Sequence, residues 1–334
     1  MSELSDRLQR AVGTTYHIER ELAGGGMSRV FLATEVQLAR PVVIKVLPPE
    51  MAASVQTERF AREIQVAASL QHPHIVPLLT AGSAEGLAWY VMPFIEGETL
   101  GTKLSKSGAL PVNEAVRILK DIIDGLSYSH GRGVVHRDVK PDNVMISGRH
   151  ALVTDFGVAK AVSASSGGKG ALTTGGVALG TPTYMAPEQA AADPNVDHRA
   201  DIYAVGILAY EMLTGRTPFN APTPQAMLAA HVTQYPDPIT NYRPSLPPML
   251  AAAIMRCLEK HPSDRWQTAV ELGEILDAAS TPPAGMTPIP TSTASPAYRG
   301  AGMPSSTRSW KVAVLFGFAT LAVVGLIYGA TRLF

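Results

Sequence analysis

The chain has a single cysteine, Cys257, in 334 residues, so it cannot close a disulfide on itself. It also lacks any run of cysteines and histidines at metal-ligand spacing, and both absences point to a reducing compartment, the cytoplasm by default. An excess of charge is missing too. The 28 Lys and Arg balance 28 Asp and Glu, so no global field draws the chain to nucleic acid or to an acidic surface. No nucleic-acid partner is expected, and any anion site has to be local. The N-terminal stretch MSELSDRLQRAVG lacks the apolar core of a secretory signal, and no internal repeat is visible. What is present, 46% hydrophobic and 17% charged residues, is ordinary for a folded protein with one large core or two lobes.

One long apolar run lies near the C-terminus. Val312 to Thr331 passes 20 residues without a charge, and at a helical rise this covers roughly 30 Å, the thickness of a hydrocarbon core. A transmembrane helix is therefore expected over 310–331. Arg299, Arg308 and Lys311 precede the run and only Arg332 follows it. The positive-inside bias then gives a single-pass protein of the cell membrane with its folded part in the cytoplasm. Residues 279–309, rich in Pro, Ser, Thr and Gly and almost without large apolar side chains, read as a flexible tether.

Upstream, residues 16–95 read mainly as short strands. YHIERELA, RVFLATEV, RPVVIKVL and LAWYVMPF are β-branched or aromatic segments separated by Gly and Pro. One helix interrupts them, ERFAREIQVAASL, with Thr57 as its cap. From 96 to 278 the pattern is mostly helical, broken by a loop region: NEAVRILKDIIDGLSYSH comes first, then DIYAVGILAYEMLTG, TPQAMLAAHV, PPMLAAAIMRCLEK and TAVELGEILDAA. The expected fold class is α+β: a small strand-rich lobe over 16–95 and a larger helical lobe over 96–278, preceded by an extension over 1–15. The junction between two lobes is a natural place for a ligand.

The chemistry concentrates in VVHRDVKPDNVMI and, shortly after, LVTDFGVAK. Asp138, Lys140 and Asn143 fall within six residues, and Asp155 follows at a Gly-terminated turn. Asp138 can orient a hydroxyl and accept its proton, Lys140 can neutralise a moving phosphoryl group, and Asn143 with Asp155 offers hard oxygen ligands for Mg²⁺. Any one of them alone would read as a solvated loop charge. The stretch ELAGGGMSRVFLA is ambiguous by itself, a phosphate flap or a plain hairpin turn, because its glycines miss the G-x-G-x-x-G spacing.

Together these pieces resemble the eukaryotic-type protein kinases, and most of all their bacterial Ser/Thr members, over about residues 16–278. The resemblance implies a bilobal kinase fold, ATP as phosphoryl donor, Mg²⁺ (or Mn²⁺) as cofactor and Ser/Thr-bearing proteins as substrates. It places Lys45 of VVIK on the phosphates with Glu63 as its ion-pair partner, Asp138 and Lys140 in catalysis, and Asn143 and Asp155 on the metal. The flap would comprise Ala23, Gly24, Gly25, Gly26, Met27 and Ser28, with the family's glycine positions at Ala23, Gly25 and Ser28. Only Gly25 among those three is glycine, at the tip where backbone must approach phosphate. Leu22, Val30, Val43 and Met145 would enclose the adenine. At the hinge Met92 would guard the back pocket, Pro93 would contribute its carbonyl and Ile95 an N–H. In GTPTYMAPEQ, Thr181 falls in the substrate-side pocket. Glu188, Asp201 and Arg265 match positions whose role is structural.

The resemblance also implies regulation. Arg137, beside Asp138, is the residue type that pairs with a phosphate on the activation segment. Thr173 and Thr174 are the expected autophosphorylation sites, with Ser163, Ser165 and Ser166 behind them. A homodimer through the small lobe is implied by resemblance alone. Two other readings stand beside an active protein kinase. One is a membrane-tethered pseudokinase scaffold without turnover, at odds with the presence of Lys45, Asp138 and Asp155. The other is a small-molecule kinase, at odds with the peptide-docking APE segment.

Overall fold

The β-branched runs of the first hundred residues pair into one antiparallel sheet, because each alternates a face that needs cover with a face that meets the cleft. The structure, a computed structural model, describes residues 3–24, 29–47, 64–156 and 182–280. The strands are β1 (Tyr16–Gly24), β2 (Arg29–Glu35), β3 (Arg40–Val46), β4 (Thr80–Ala84) and β5 (Leu87–Pro93), in the order β1-β2-β3-β5-β4. Glu85 and Gly86 both take positive φ in the β4–β5 turn (54° and 68°), the backbone of a two-residue I′ hairpin.

One face of the sheet is closed by α1 (Glu3–Val12). Its Leu8 and Val12 are buried among Phe31, Val42, Ile44 and Val91, and Arg7 donates to the Glu85 carbonyl at 2.8 Å. The extension over 1–15 thus contributes a helix to the small-lobe core. Against the opposite face lies a helical segment at residues 64–68, whose Ile64 clusters with Leu47, Ala88 and Tyr90.

The larger lobe is built on α3 (Val112–His130) and α5 (Arg199–Thr214). Nearly every residue of α5 is buried, and its sequence is apolar all round rather than on one stripe. α2 (Leu100–Ser107) precedes them, and α4 (Pro187–Ala190), α6 (Pro224–Thr233), α7 (Pro248–Cys257) and α8 (Ala269–Ser280) complete the lobe. The region read as loop from the sequence contains two strands, β7 (Val144–Ser147) and β8 (His150–Val153), which form a second sheet with β6 (Glu98–Thr99). Strands of two to four residues are too short to show a period. Gly97 leads into β6 with φ 142°, and a Cβ there would stand 2.0 Å from the Ile146 carbonyl oxygen, so only glycine fits.

Among the described residues no helix is long and apolar enough to cross a membrane. The span expected over 310–331 lies outside the described residues, as does the tether expected over 279–309 except for Ala279 and Ser280, which the structure places at the end of α8.

Candidate active site

Register fixes which side chains share the cleft face of the small lobe. Lys45 is paired with Val30 on one side and Tyr90 on the other, and Val43 is paired with Met92. Directly opposed residues point to the same face, so these five form one surface. Leu22 falls at a register shift between β1 and β2, a bulge beside the flap. Pro93 ends β5, Ile95 follows it half-buried, and Met145 lies half-buried in β7 of the other lobe. Ala23 and Gly24 end β1. Gly25, Gly26, Met27, Ser28, Glu63, Thr173, Thr174 and Thr181 lie outside the described residues.

From this face Lys45 reaches across to Asp155. Its Nζ stands 2.6 Å from Asp155 Oδ2, and the buried Tyr90 hydroxyl donates to Oδ1, also at 2.6 Å. Burial pushes the Asp155 carboxyl up, but Lys45 and the Tyr90 hydrogen bond outweigh it and hold the group below the usual carboxylate range. Burial and the neighbouring Asp155 charge push the Tyr90 phenol well above its ordinary value, so it remains a donor. Asp155 itself has φ 67°, a conformation rare for a non-glycine residue and common where a side chain must be aimed at a ligand.

Asp138 is 45% exposed at its side chain, accessible to a substrate. Lys140 Nζ lies 2.7 Å from Asp138 Oδ2. Asn143 is buried and donates to both the carbonyl and Oδ2 of Asp138, at 2.8 and 2.9 Å. The Asn143 carbonyl in turn accepts from Thr154 N at 2.9 Å, which ties this loop to the residue preceding Asp155.

The loop is anchored from below by Asp201, buried at the start of α5. Its two oxygens accept from the backbone N–H groups of His136 (2.8 Å) and Arg137 (2.7 Å) and lie 2.8 Å from His130 Nε2. Burial raises this carboxyl, and the hydrogen bonds and nearby histidines bring it below its ordinary value. Arg137 has φ 68°. Its guanidinium donates to the Val196 carbonyl, while its buried Nε has no partner among the described residues. Gln189 donates to the Arg137 carbonyl, and Arg265 grips Glu188 through two hydrogen bonds of 2.7 and 2.8 Å.

Two features escaped the sequence reading. Tyr90 is one; its signal was alternation, since a residue two before Met92 in a strand must share the face of Met92 and Lys45. The other is a cavity of about 280 Å³ lined in part by Asp142, Tyr184, Glu211 and Gly101. Tyr184 donates to Glu211 at 2.5 Å, and burial, followed by the charge of Asp142, raises the Glu211 carboxyl. No motif marks this cavity, because four separate segments line it.

Comparison with known proteins gives a match to the protein kinase domain model over residues 16–275. The chain is 38% identical over 280 residues to serine/threonine-protein kinase pkn2 of Myxococcus xanthus, covering 82% of this chain and 33% of that protein. It is 37% identical over 265 residues to pkn3 of the same organism (77% and 48%). To PknB of Mycobacterium leprae it is 38% identical over 263 residues (77% and 42%). The chain spans between a third and a half of the length of these relatives.

Proposed function

We propose that this chain, which belongs to the protein kinase family and is similar to its bacterial Ser/Thr members, transfers the γ-phosphoryl group of ATP to Ser or Thr hydroxyls of proteins. The observation that carries the reading is the pairing of an accessible Asp138, steadied by Lys140 and Asn143, with a Lys45–Asp155 contact that joins the two lobes. Asp138 orients the attacking hydroxyl and takes its proton as the new O–P bond forms and the bond to the departing ADP breaks. Lys140 neutralises charge on the transferring group. Lys45 turns from Asp155 to the α/β-phosphates when nucleotide enters.

The side-chain oxygen of Asn143 and the Asp155 carboxylate, whose oxygens each keep a lone pair after binding Lys45 and Tyr90, suit a hard divalent cation. Mg²⁺, or Mn²⁺ in its place, would supply charge neutralisation on the phosphates. Val30, Val43, Leu22 and Met145 supply the apolar walls for the adenine, with Pro93 and Ile95 at its edge.

Protein substrates would dock beside Asp138. Asp142 and Glu211 face the same cavity, and their mutual repulsion is relieved by a cation, so a basic residue near the acceptor hydroxyl is favoured. Arg137, with Nε free among the described residues, is suited to a phosphate on Thr173 or Thr174. Replacing both threonines by alanine should then sharply reduce activity. The uncharged run at 312–331 supports a membrane tether with the kinase domain on the cytoplasmic side. A homodimer through the small lobe rests on family resemblance.

The test is transfer of labelled phosphate from ATP to a generic protein substrate by the purified full chain, compared with Asp138→Asn. Transfer by the parent and its loss in the variant are expected. A parent that binds nucleotide without transferring phosphate would instead identify a pseudokinase scaffold.

A further inference from the structure

Behind the cleft, three segments distant in sequence meet: residues 71–79, the middle of α3, and the start of β8. The first docks along β8 through its backbone, with Val153 N donating to the His74 carbonyl and Val76 N to the Val153 carbonyl, both at 2.9 Å. This docking brings His74 beside Asp121 of α3 and His150, the first residue of β8. His74 Nε2 is 3.6 Å from Asp121 Oδ1, and His150 Nδ1 is 3.9 Å from Asp121 Oδ2. One ligand atom from each of the three side chains lies within 4.8 Å of the other two.

These are not ordinary hydrogen bonds. Both separations exceed hydrogen-bond range, and the tautomer of His74 is set elsewhere. His74 Nδ1 lies 2.9 Å from the Ala151 carbonyl oxygen, which can only accept, so the ring proton is on Nδ1. A neutral His74 therefore presents the Nε2 lone pair to a carboxylate oxygen, acceptor against acceptor, an arrangement that a cation resolves. A ring nitrogen held on a backbone carbonyl is also the usual outer support of a metal-binding histidine. Asp121 is oriented by the Ala151 N–H at 2.8 Å. Two of the nearby basic side chains are engaged elsewhere: Arg117 donates to the Arg149 carbonyl and Lys120 pairs with Asp277.

We propose that His74, Asp121 and His150 form a binding site for Zn²⁺ distinct from the nucleotide cleft. Two imidazoles and one carboxylate are the donor set of a borderline transition ion rather than of Mg²⁺. Donors about 2.05 Å from a tetrahedral metal are about 3.3 Å apart, so the two Asp121 separations of 3.6 and 3.9 Å close by about half an ångström or less, and the remaining pair, within 4.8 Å, by up to about 1.5 Å. His150, whose side chain is 72% exposed, is free to make it. Water completes the coordination. The ion would staple the segment following the 64–68 helix to α3 and to β8, the strand that leads directly to Asp155.

The experiment uses the full chain stripped with a chelator, in an Asp155→Asn background that disables the metal carboxylate of the cleft. Zn²⁺ binding is measured by equilibrium dialysis with excess Mg²⁺ present, together with the thermal unfolding midpoint. One Zn²⁺ per chain and a raised Tm are expected. His150→Ala, at an exposed position at the start of β8, should weaken binding more than about tenfold and abolish the rise in Tm, whereas His17→Ala, at an exposed histidine elsewhere, should change neither. Failure to retain Zn²⁺ at micromolar concentration, or equal binding by the His150→Ala and His17→Ala variants, would overturn the site.

Discussion

Asp155 at the cleft and Asp201 in the interior of the large lobe are both buried carboxylates, each raised by burial and brought back down by its partners. Their partners differ in kind. Asp155 is held by the ends of two side chains from the other lobe, Lys45 and Tyr90. Asp201 is held by two backbone N–H groups of the loop it supports and by His130. Side-chain ends can turn to another partner when a ligand arrives, whereas backbone amides that lose a buried acceptor remain unsatisfied. The first carboxylate is thus exchangeable and suited to a ligand-binding role, and the second is a fixture.

Substitution of both by asparagine separates the roles. Asp155→Asn should lower turnover by about 10²–10³-fold, read by single-turnover phosphate transfer, because a charge that acts on the reacting group is lost. Its unfolding free energy should change less than that of Asp201→Asn, since Tyr90 can still donate to the amide oxygen and the partly exposed Lys45 can turn from the new NH₂ to water. Asp201→Asn should do the reverse in emphasis. It should cost about 3 kcal/mol in urea unfolding, because the new NH₂ meets donors on every side. Equal stability losses in the two variants would break the comparison.

A finer cut is Tyr90→Phe. Removing one donor from Asp155 should cost about 1 kcal/mol of stability and lower the Mg²⁺ concentration that gives half-maximal rate, since one carboxylate oxygen is freed. An unchanged Mg²⁺ requirement would mean that Tyr90 serves packing alone.

The smallest effect is one of pH, and it belongs to the large lobe. Burial, with Lys260 nearby, pushes His231 down to about 4, while its Nδ1 lies 2.9 Å from the Tyr203 hydroxyl. The folded state therefore prefers neutral His231. Its contribution is full above the unfolded value of about 6.5 and is lost as the pH falls toward 4, with under about 1 kcal/mol gone by pH 6. Urea midpoints at pH 7 and pH 6 should show this slope, and His231→Gln should remove it. Because both aspartates titrate below the ordinary carboxylate range, neither contributes to the slope in this window.

The parts legible in the sequence were those whose signal is local. β1, β2, β3 and β5 announce themselves by β-branched alternation, and Asp138, Lys140, Asn143 and Asp155 fall within eighteen consecutive residues. β6, β7 and β8 did not, being too short for a period, and α2 is only eight residues long. α1 was legible in principle, since Leu4, Leu8 and Val12 recur at every fourth position. Tyr90 and the His74, Asp121 and His150 group depend on register and docking between segments far apart in the chain, which no spacing records.

The covering of the small-lobe sheet by α1 bears on how the protein should be cut. The family match begins at Tyr16, yet Phe31, Val42 and Ile44 lose their lid if the chain is started there, because Leu8 and Val12 lie upstream. A recombinant kinase region begun at Tyr16 would bare an apolar sheet face and a β4–β5 hairpin without its Arg7 contact, an invitation to self-association. Here the stretch that the family model matches is shorter than the stretch that has to fold together.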